Sequence, residues 1–550
     1  LVLAEAWSVT NAELLLVAVA VPLAMLAACV SSSVRDRMPA LLPLAPLPAL
    51  VAAIVAADGS TLALPQALLG LTFVIDKPGA MLLGTAALLW IVAGVYAGGW
   101  LRSQPTGGHF ATWWLMTLTG SLGVFIAADM VSFYLFFTLV SLAAYGLVVF
   151  ENTSTAKRAG AVYVSLALLG EAFLLMGFVF LAAASPNGSL LIRDAVAALP
   201  ASPWRDPALV FLILGFGVKI GLVPLHVWMP LTYAAAPIPA AAVLSGAAVK
   251  AGVIGLIRFL PFDTALPGWG EALAAAGLFS AFYGVAIGIT QSNPKTVLAY
   301  SSVSQMGLLA TVLGMGLAAG DPSVAIAATF YATNHILVKG GLFLALGVGV
   351  STRARDLWFV LLPAAVLALG LGGLPLTGGA LAKLAVKAPL GDGIVGSLAI
   401  LSAIGSTLLM FHFLRCLVNV SHFAQTATPP RATLSWLAIA TSAIVLPWAL
   451  FAYAGEGSVL KALTAKELWA ALWPVLIGGI LAIGLWRWGY LLPRVPEGDL
   501  LVAEKSATRA ARTLAAFAER TDWHLRQWQM AGVLLLALTV ILVGSMVTGY

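Results

Sequence analysis

Apolar runs of about 20 residues, separated by short polar turns, recur from one end of the chain to the other. That is the length a helix needs to cross about 30 Å of hydrocarbon. The pattern predicts helical spans near residues 10–30, 39–57, 78–99, 109–127, 129–149, 159–184, 206–224, 238–260, 269–290, 296–318, 323–350, 356–374 with a broken continuation to 389, 393–419, 433–455, 466–489 and 528–548. The first run, Ala12 to Val30, is signal-like alone. With some fifteen similar runs behind it, it reads as the first span. One stretch breaks the pattern differently. From Asp499 to Arg526, Leu501, Ala511, Leu514, Phe517 and Trp523 can share one side of a helix against an Arg-rich side. A helix lying along the membrane surface fits; a charged linker is the alternative.

Two spans carry Gly/Pro breaks. Gly221-Leu222-Val223-Pro224-Leu225 is loosely echoed by Gly373-Leu374-Pro375-Leu376, and each lies beside a lysine within an apolar run, Lys219 and Lys383. Transporters built from inverted repeats place broken helices at matching points of their halves, with ion sites at the breaks.

Composition agrees with the pattern. Of the 550 residues, 61% are hydrophobic and 9% charged, against roughly 25% charged in soluble proteins. The fold class is therefore an all-α polytopic membrane protein with about 14–16 transmembrane helices. The net charge of +6 speaks to topology, not to nucleic acid. Basic residues concentrate in alternate loops, including Arg35, Arg37, Lys157, Arg158, Arg353, Arg355 and the cluster from Arg487 to Arg526. The positive-inside rule makes those loops cytoplasmic and puts both termini outside. Two cysteines, Cys29 and Cys416, allow no disulfide framework and no cysteine-rich metal or iron–sulfur site. No GxGxxG follows a strand and no P-loop is present, so this chain is expected to bind no nucleotide itself, and no cofactor or metal is expected on it either.

Candidate chemistry lies in the charges inside the spans. Lys219, Lys250, Lys339, Lys383 and Lys387 fall in or at the edge of apolar segments. Ionisable groups at membrane depth are costly and mark ion or proton pathways. A desolvated lysine exchanges its proton far more readily than one in water, so a water-linked row of them forms a relay. His335 precedes Lys339 by four residues, on one helical face; it is either a relay member or a packed histidine. Glu171 sits well inside the sixth span and calls for a cationic partner, for which Lys219 is the candidate. His226 follows Pro224 and either joins the relay or caps the broken helix. Asp129 reads as a helix cap, and Asp76 as interfacial. Ser301 and Ser304, in SSVSQMG, face either water or a neighbouring helix.

At these motifs the chain resembles the antiporter-like subunits of respiratory complex I, of Mrp-type multisubunit cation/proton antiporters and of membrane-bound hydrogenases. The resemblance runs from about residue 70 to 415. It is carried by GFGVKIGLVPLHVWMPLTYAAAPIPAAAVLSGAAVKAGVIGLIRF (215–259), SNPKTVLAYSSVSQMG (292–307), ATNHILVKGGLFL (332–344) and GGLPLTGGALAK (372–383). It implies two inverted five-helix repeats, each with a broken helix, and a lateral helix in some members. The expected organisation is N-terminal helices over 1–105, a first repeat over 106–260, a second over 261–420, and C-terminal helices over 421–550 with an amphipathic lateral segment at 498–526. By resemblance, Lys219 belongs to the first half-channel and Lys250 hands the proton toward the centre. His335 and Lys339 form the central pair, and Lys383 opens to the far side. Lys387 lies outside that pattern and reads as a helix-end charge. The chain departs from the family at Thr138, where members usually carry a glutamate. Glu171, after Gly170, is the candidate substitute.

The expected function is thus that of a proton-translocating subunit in the inner (cytoplasmic) membrane of a prokaryote. Its partners would be other membrane subunits, protons, with sodium as a candidate second ion, and the lipid bilayer. The candidate pathway is Glu171, Lys219, Lys250, His335, Lys339 and Lys383, with His226, Thr138, Ser301 and Ser304 as secondary positions. Driving redox chemistry, if the assembly uses any, would lie in partner chains. The rival reading is a non-transporting subunit that anchors partners, and the missing fifth-span glutamate is its best support. An Mrp-like antiporter, a hydrogenase or complex-I-like enzyme, and an inorganic-carbon uptake system remain open as assemblies.

Overall fold

The computed structural model describes residues 2–498, apart from 57, 67–69, 105, 186–187, 422–429, 455–457 and 494. The surface segment 498–526, save Gly498, and the expected span 528–548 lie outside the described residues.

Chain order runs from α1 (Val2–Ala28) through α2 (Ser32–Arg37) and α3 (Leu47–Val55) to a hairpin of β1 (Thr61–Leu64) and β2 (Leu71–Val74). Then come α4 (Lys77–Trp100), α5 (Gly107–Ile126), α6 (Met130–Val148), α7 (Ser154–Ala184) and the short α8 (Ile192–Ala198). The first broken span follows as α9 (Arg205–Ile220) and α10 (Trp228–Ala235). The next is one rod, α11 (Ile238–Val243) and α12 (Lys250–Phe259), joined through a π-helical turn at Leu244–Ala248. Then come α13 (Pro267–Gly288), α14 (Pro294–Ala319) and α15 (Val324–Ser351). The second broken span is α16 (Trp358–Gly372), α17 (Gly378–Ala385) and α18 (Lys387–Leu390). Last come α19 (Ile394–Ser421), α20 (Pro430–Ala454), α21 (Val459–Ala462) and α22 (Ala465–Trp488).

Every expected span through 466–489 has helix beneath it. Among the described residues ten helices are long and apolar enough to cross a membrane, or eleven when a bent N-terminal pair counts as one span. Helices are the natural solution there, because each satisfies its backbone polar groups internally where water is absent. The β-hairpin lies in what the sequence leaves as a loop. It pairs Thr61 with Val74 and Leu64 with Leu71.

The most enclosed elements are α11–α12, α14 and α15. Small residues bring α13 and α14 together. A Cβ at Gly270, Gly277 or Gly284 would lie 2.3–2.6 Å from the α14 backbone, so the two helices touch main chain to main chain. Arg258, at the end of α12, ties three elements. It donates to the carbonyls of Phe125 (2.7 Å) and Ala127 (2.5 Å) at the end of α5 and pairs with Asp76 (3.0 Å), the N-cap of α4. Asp129 caps α6 by accepting from Ser132 N at 2.7 Å, and it also takes the Thr72 amide at 2.7 Å.

Candidate functional site

The first break forms where α9 ends on Gly221. Its φ of +75° is left-handed and suits a residue without Cβ. The Leu222 amide returns to Gly217 O at 2.9 Å. Val223 N donates to Ser280 Oγ at 3.0 Å, and the Trp228 indole donates to Val218 O at 2.8 Å. Backbone groups freed by the break are thus met by side chains from α13 and α10. His226 is fully buried in the broken stretch, with its ring against Tyr283 and Tyr300 at centroid distances of 5.1 and 6.2 Å.

Lys219 occupies the last turn of α9 and is buried. Its ammonium donates to Ser141 Oγ at 2.9 Å and stands 5.3 Å from the centre of the Phe137 ring. Glu171, on α7, accepts from Thr138 Oγ1 at 2.6 Å through one carboxylate oxygen; the other, Oε1, has no hydrogen-bond partner. Glu171 and Lys219 therefore do not meet in a direct ion pair. Thr138 and Ser141, one turn apart on α6, hold one each. The α7 carboxylate is nonetheless delivered to the α6 position where the resemblance expects a glutamate. A small cavity of about 20 Å³, touching Ser141, Gly170 and Lys219, lies alongside.

The π turn sets the centre. Val249 N bonds to Leu244 O at 3.2 Å, one residue farther back than in an α-helix. Two residues after it, Lys250 reaches across to α15, where its Nζ lies 2.7 Å from His335 Nδ1. Both residues are fully buried. At that distance one proton lies between them: either an ammonium donates to the imidazole, or the imidazole N–H donates to an amine. His335 Nε2 has no hydrogen-bond partner, nor do the nearby Thr333 Oγ1 and Asn334 Oδ1. One turn on, Lys339 donates to Leu298 O at 2.8 Å. Ser302 Oγ donates to that same carbonyl at 3.2 Å and lies 3.2 Å from Ser245 Oγ. The end of α9 packs directly on the helix that carries Lys250, because Gly252 lies against the Lys219 stem: a Cβ there would lie 2.9 Å from Lys219 Cβ.

Toward the second break, Tyr331 of α15 donates to the Gln305 carbonyl oxygen, and Gln305 Nε2 donates to Ser406 of α19 at 2.9 Å. α16 ends on Gly373, left-handed at φ +103°, and Thr377 caps α17. Here the carbonyl left by the break is met by the charged residue itself. Lys383 donates to Gly372 O at 2.6 Å. It lines a cavity of about 300 Å³ between α16–α18, α19 and α22. Lys387 pairs with Glu467 at 3.1 Å.

The sequence-predicted residues thus fall into three groups: Thr138, Glu171 and Lys219; Lys250, His335 and Lys339; and Lys383. Ser301 and Ser304 are both buried on α14. The Ser304 backbone packs on Gly284 and its hydroxyl has no partner. Sequence reasoning missed the hydroxyl that joins the centre, Ser302, and the acceptor of Lys219, Ser141. Helical spacing was the available signal, since Ser141 is one turn past Thr138.

Residues 127–409 match the family model described as "NADH:quinone oxidoreductase/Mrp antiporter, TM". The chain is 34% identical over 302 residues to NADH-quinone oxidoreductase subunit N of Desulforudis audaxviator, covering 52% of this chain and 58% of that one. It is 31% identical over 296 residues to hydrogenase-4 component B of Escherichia coli K12, covering 51% and 44%. The match thus spans about half the length of these two relatives. A chain in the structure of the Mrp complex from Dietzia sp. DQ12-45-1b superposes with a TM-score of 0.78 at 20% identity, covering 98% of this chain and 63% of that one. A polytopic helical fold with two broken spans, and a family match over more than half the sequence, make this chain a member of the NADH:quinone oxidoreductase/Mrp antiporter transmembrane family.

Proposed function

We propose that this chain conducts protons across a prokaryotic cytoplasmic membrane as one subunit of a multisubunit complex, with its Lys/Arg-rich loops inside. The observation that carries the reading is the 2.7 Å contact between Lys250 and His335, fully buried, with Lys339 one turn away. Burying two lysines and a histidine so close costs stability and offers no packing advantage. It does provide a place where one proton can be held by either of two bases. A proton enters by Glu171 and Lys219, passes to Lys250 and His335, moves to Lys339 and leaves by Lys383. Water links the stations, and each lysine is charged when loaded and neutral when empty. Gln305, between Tyr331 and Ser406, lies on the way from the centre to the second break. Partner subunits supply the driving reaction, a cation gradient or electron transfer.

The anchoring alternative draws on Thr138 and on the absence of direct contact between Glu171 and Lys219. The native complex in proteoliposomes separates the two readings. A valinomycin-clamped potential drives proton uptake, read with a pH-sensitive dye, in wild type and Lys250→Met. Loss of a relay group is expected to slow uptake at least about a hundredfold with all subunits still co-purifying. Wild-type uptake in an intact Lys250→Met complex refutes conduction along this row.

A further inference from the structure

The largest cavity among those described lies beyond the second break, and its chemistry is not used up by Lys383. Four charged residues line it: Lys383, Lys387, Asp392 and Glu467. Most of the remaining wall is apolar, Leu308 and Trp473 among it. At about 300 Å³ the cavity has room for a file of waters. Lys383 is partly buried and held to Gly372 O at 2.6 Å. Lys387 is 50% exposed and reaches both oxygens of Glu467, at 3.3 and 3.1 Å; Glu467 is only 13% exposed. Glu467 comes from the first turn of α22, some 80 residues away in the chain. An ion pair with one exposed partner adds little stability, so holding α22 to α18 is a poor reason for its position. Asp392 is the other carboxylate on the cavity. It sits exposed in the turn after α18, and no hydrogen bond ties it to Lys383 or Lys387.

We propose that Glu467 is the proton acceptor at the mouth of this cavity and that Lys387 holds its carboxylate in place. The inference rests on the proton-conducting reading above. An N–H bond of the Lys383 ammonium breaks, the proton crosses cavity water, and an O–H bond forms on Glu467. Lys383 is left a neutral amine and Glu467 a neutral acid. Glu467 then gives its proton to the solvent on that face and returns to carboxylate beside Lys387. The two broken spans are thereby served in a similar way: Glu171 stands near the first lysine, and Glu467 lines the same cavity as the second, each brought in by a neighbouring helix.

The test uses the same proteoliposomes of native complex. Glu467→Gln keeps the shape and a hydrogen bond to Lys387 but cannot take the proton, so uptake is expected to fall at least about tenfold with the complex intact. Glu467→Asp is expected to recover most of the rate, and Asp392→Asn to leave it unchanged. Wild-type uptake in Glu467→Gln, with Lys250→Met slow, overturns this inference alone; wild-type uptake in both overturns the conducting reading as well. If Glu467→Gln fails to assemble, Lys387→Met decides, since it leaves the acid but removes its anchor. A lowered rate in the intact Lys387→Met complex supports the proposal, and an unchanged rate overturns it.

Discussion

Replacing Ser141 with alanine isolates the environment of Lys219. The serine hydroxyl takes the lysine's hydrogen bond at 2.9 Å, and the centre of the Phe137 ring is 5.3 Å away. A hydrogen bond to a charged group is worth about 1.5–3 kcal/mol. Part of that is recovered, because the lost hydroxyl enlarges a cavity of about 20 Å³ already touching both residues and a water can enter. The net loss then lies near the lower figure, about 1.5 kcal/mol. At about 1.4 kcal/mol per factor of ten, a step that needs the charged lysine slows about tenfold. The assay is potential-driven proton uptake by the reconstituted complex, with Ser141→Thr as the variant that restores the hydroxyl. Lys219→Met and the double variant complete a cycle. If Ser141 acts through Lys219, removing it costs little once the lysine is gone. A Ser141→Ala complex within about twofold of wild type, or a double variant whose losses simply multiply, refutes the reasoning.

Two further expectations follow from the geometry. Glu171→Gln is expected to slow uptake, and adding Thr138→Glu to it to restore most of the rate, because Thr138 Oγ1 and the Glu171 carboxylate are 2.6 Å apart and address the same point; a double variant as slow as the single one counts against this. Arg258→Met leaves the α5 carbonyls and Asp76 without their cation. Breaking such a pair costs about 3–5 kcal/mol when buried and less when one partner is half exposed, as Asp76 is. Thermal unfolding of the purified complex should shift to lower temperature with proton uptake intact below the transition, and an unmoved midpoint would sink the idea.

The spans were legible in the sequence because apolar length is a direct physical demand of the bilayer. The breaks were legible because Gly221 and Gly373 precede prolines that cannot continue a helix. Lysines in apolar runs announce themselves. What they touch does not, since that depends on helix rotation and on residues far away in the chain. Glu171 was expected as the partner of Lys219, and the hydrogen bonds go instead from Lys219 to Ser141 and from Thr138 to Glu171. Lys387 read as a helix-end charge, and its partner Glu467 lies on another helix with no local signal. The hairpin of Thr61–Leu64 and Leu71–Val74 was missed because its short strands show no polar alternation.

The π turn at Leu244–Ala248 has one more consequence. A π turn holds an extra residue, and each residue of an α-helix advances about 100° around its axis. The two halves of the rod are therefore out of phase. Ile238–Val243 keeps the face that meets α4 and α15, while Lys250–Phe259 starts afresh against α9 and α15. Lys250 owes its aim at His335 to the number of residues before it rather than to their kind. Taking one residue from the turn would swing the lysine away by roughly a quarter of a circle, with every contacting side chain still present.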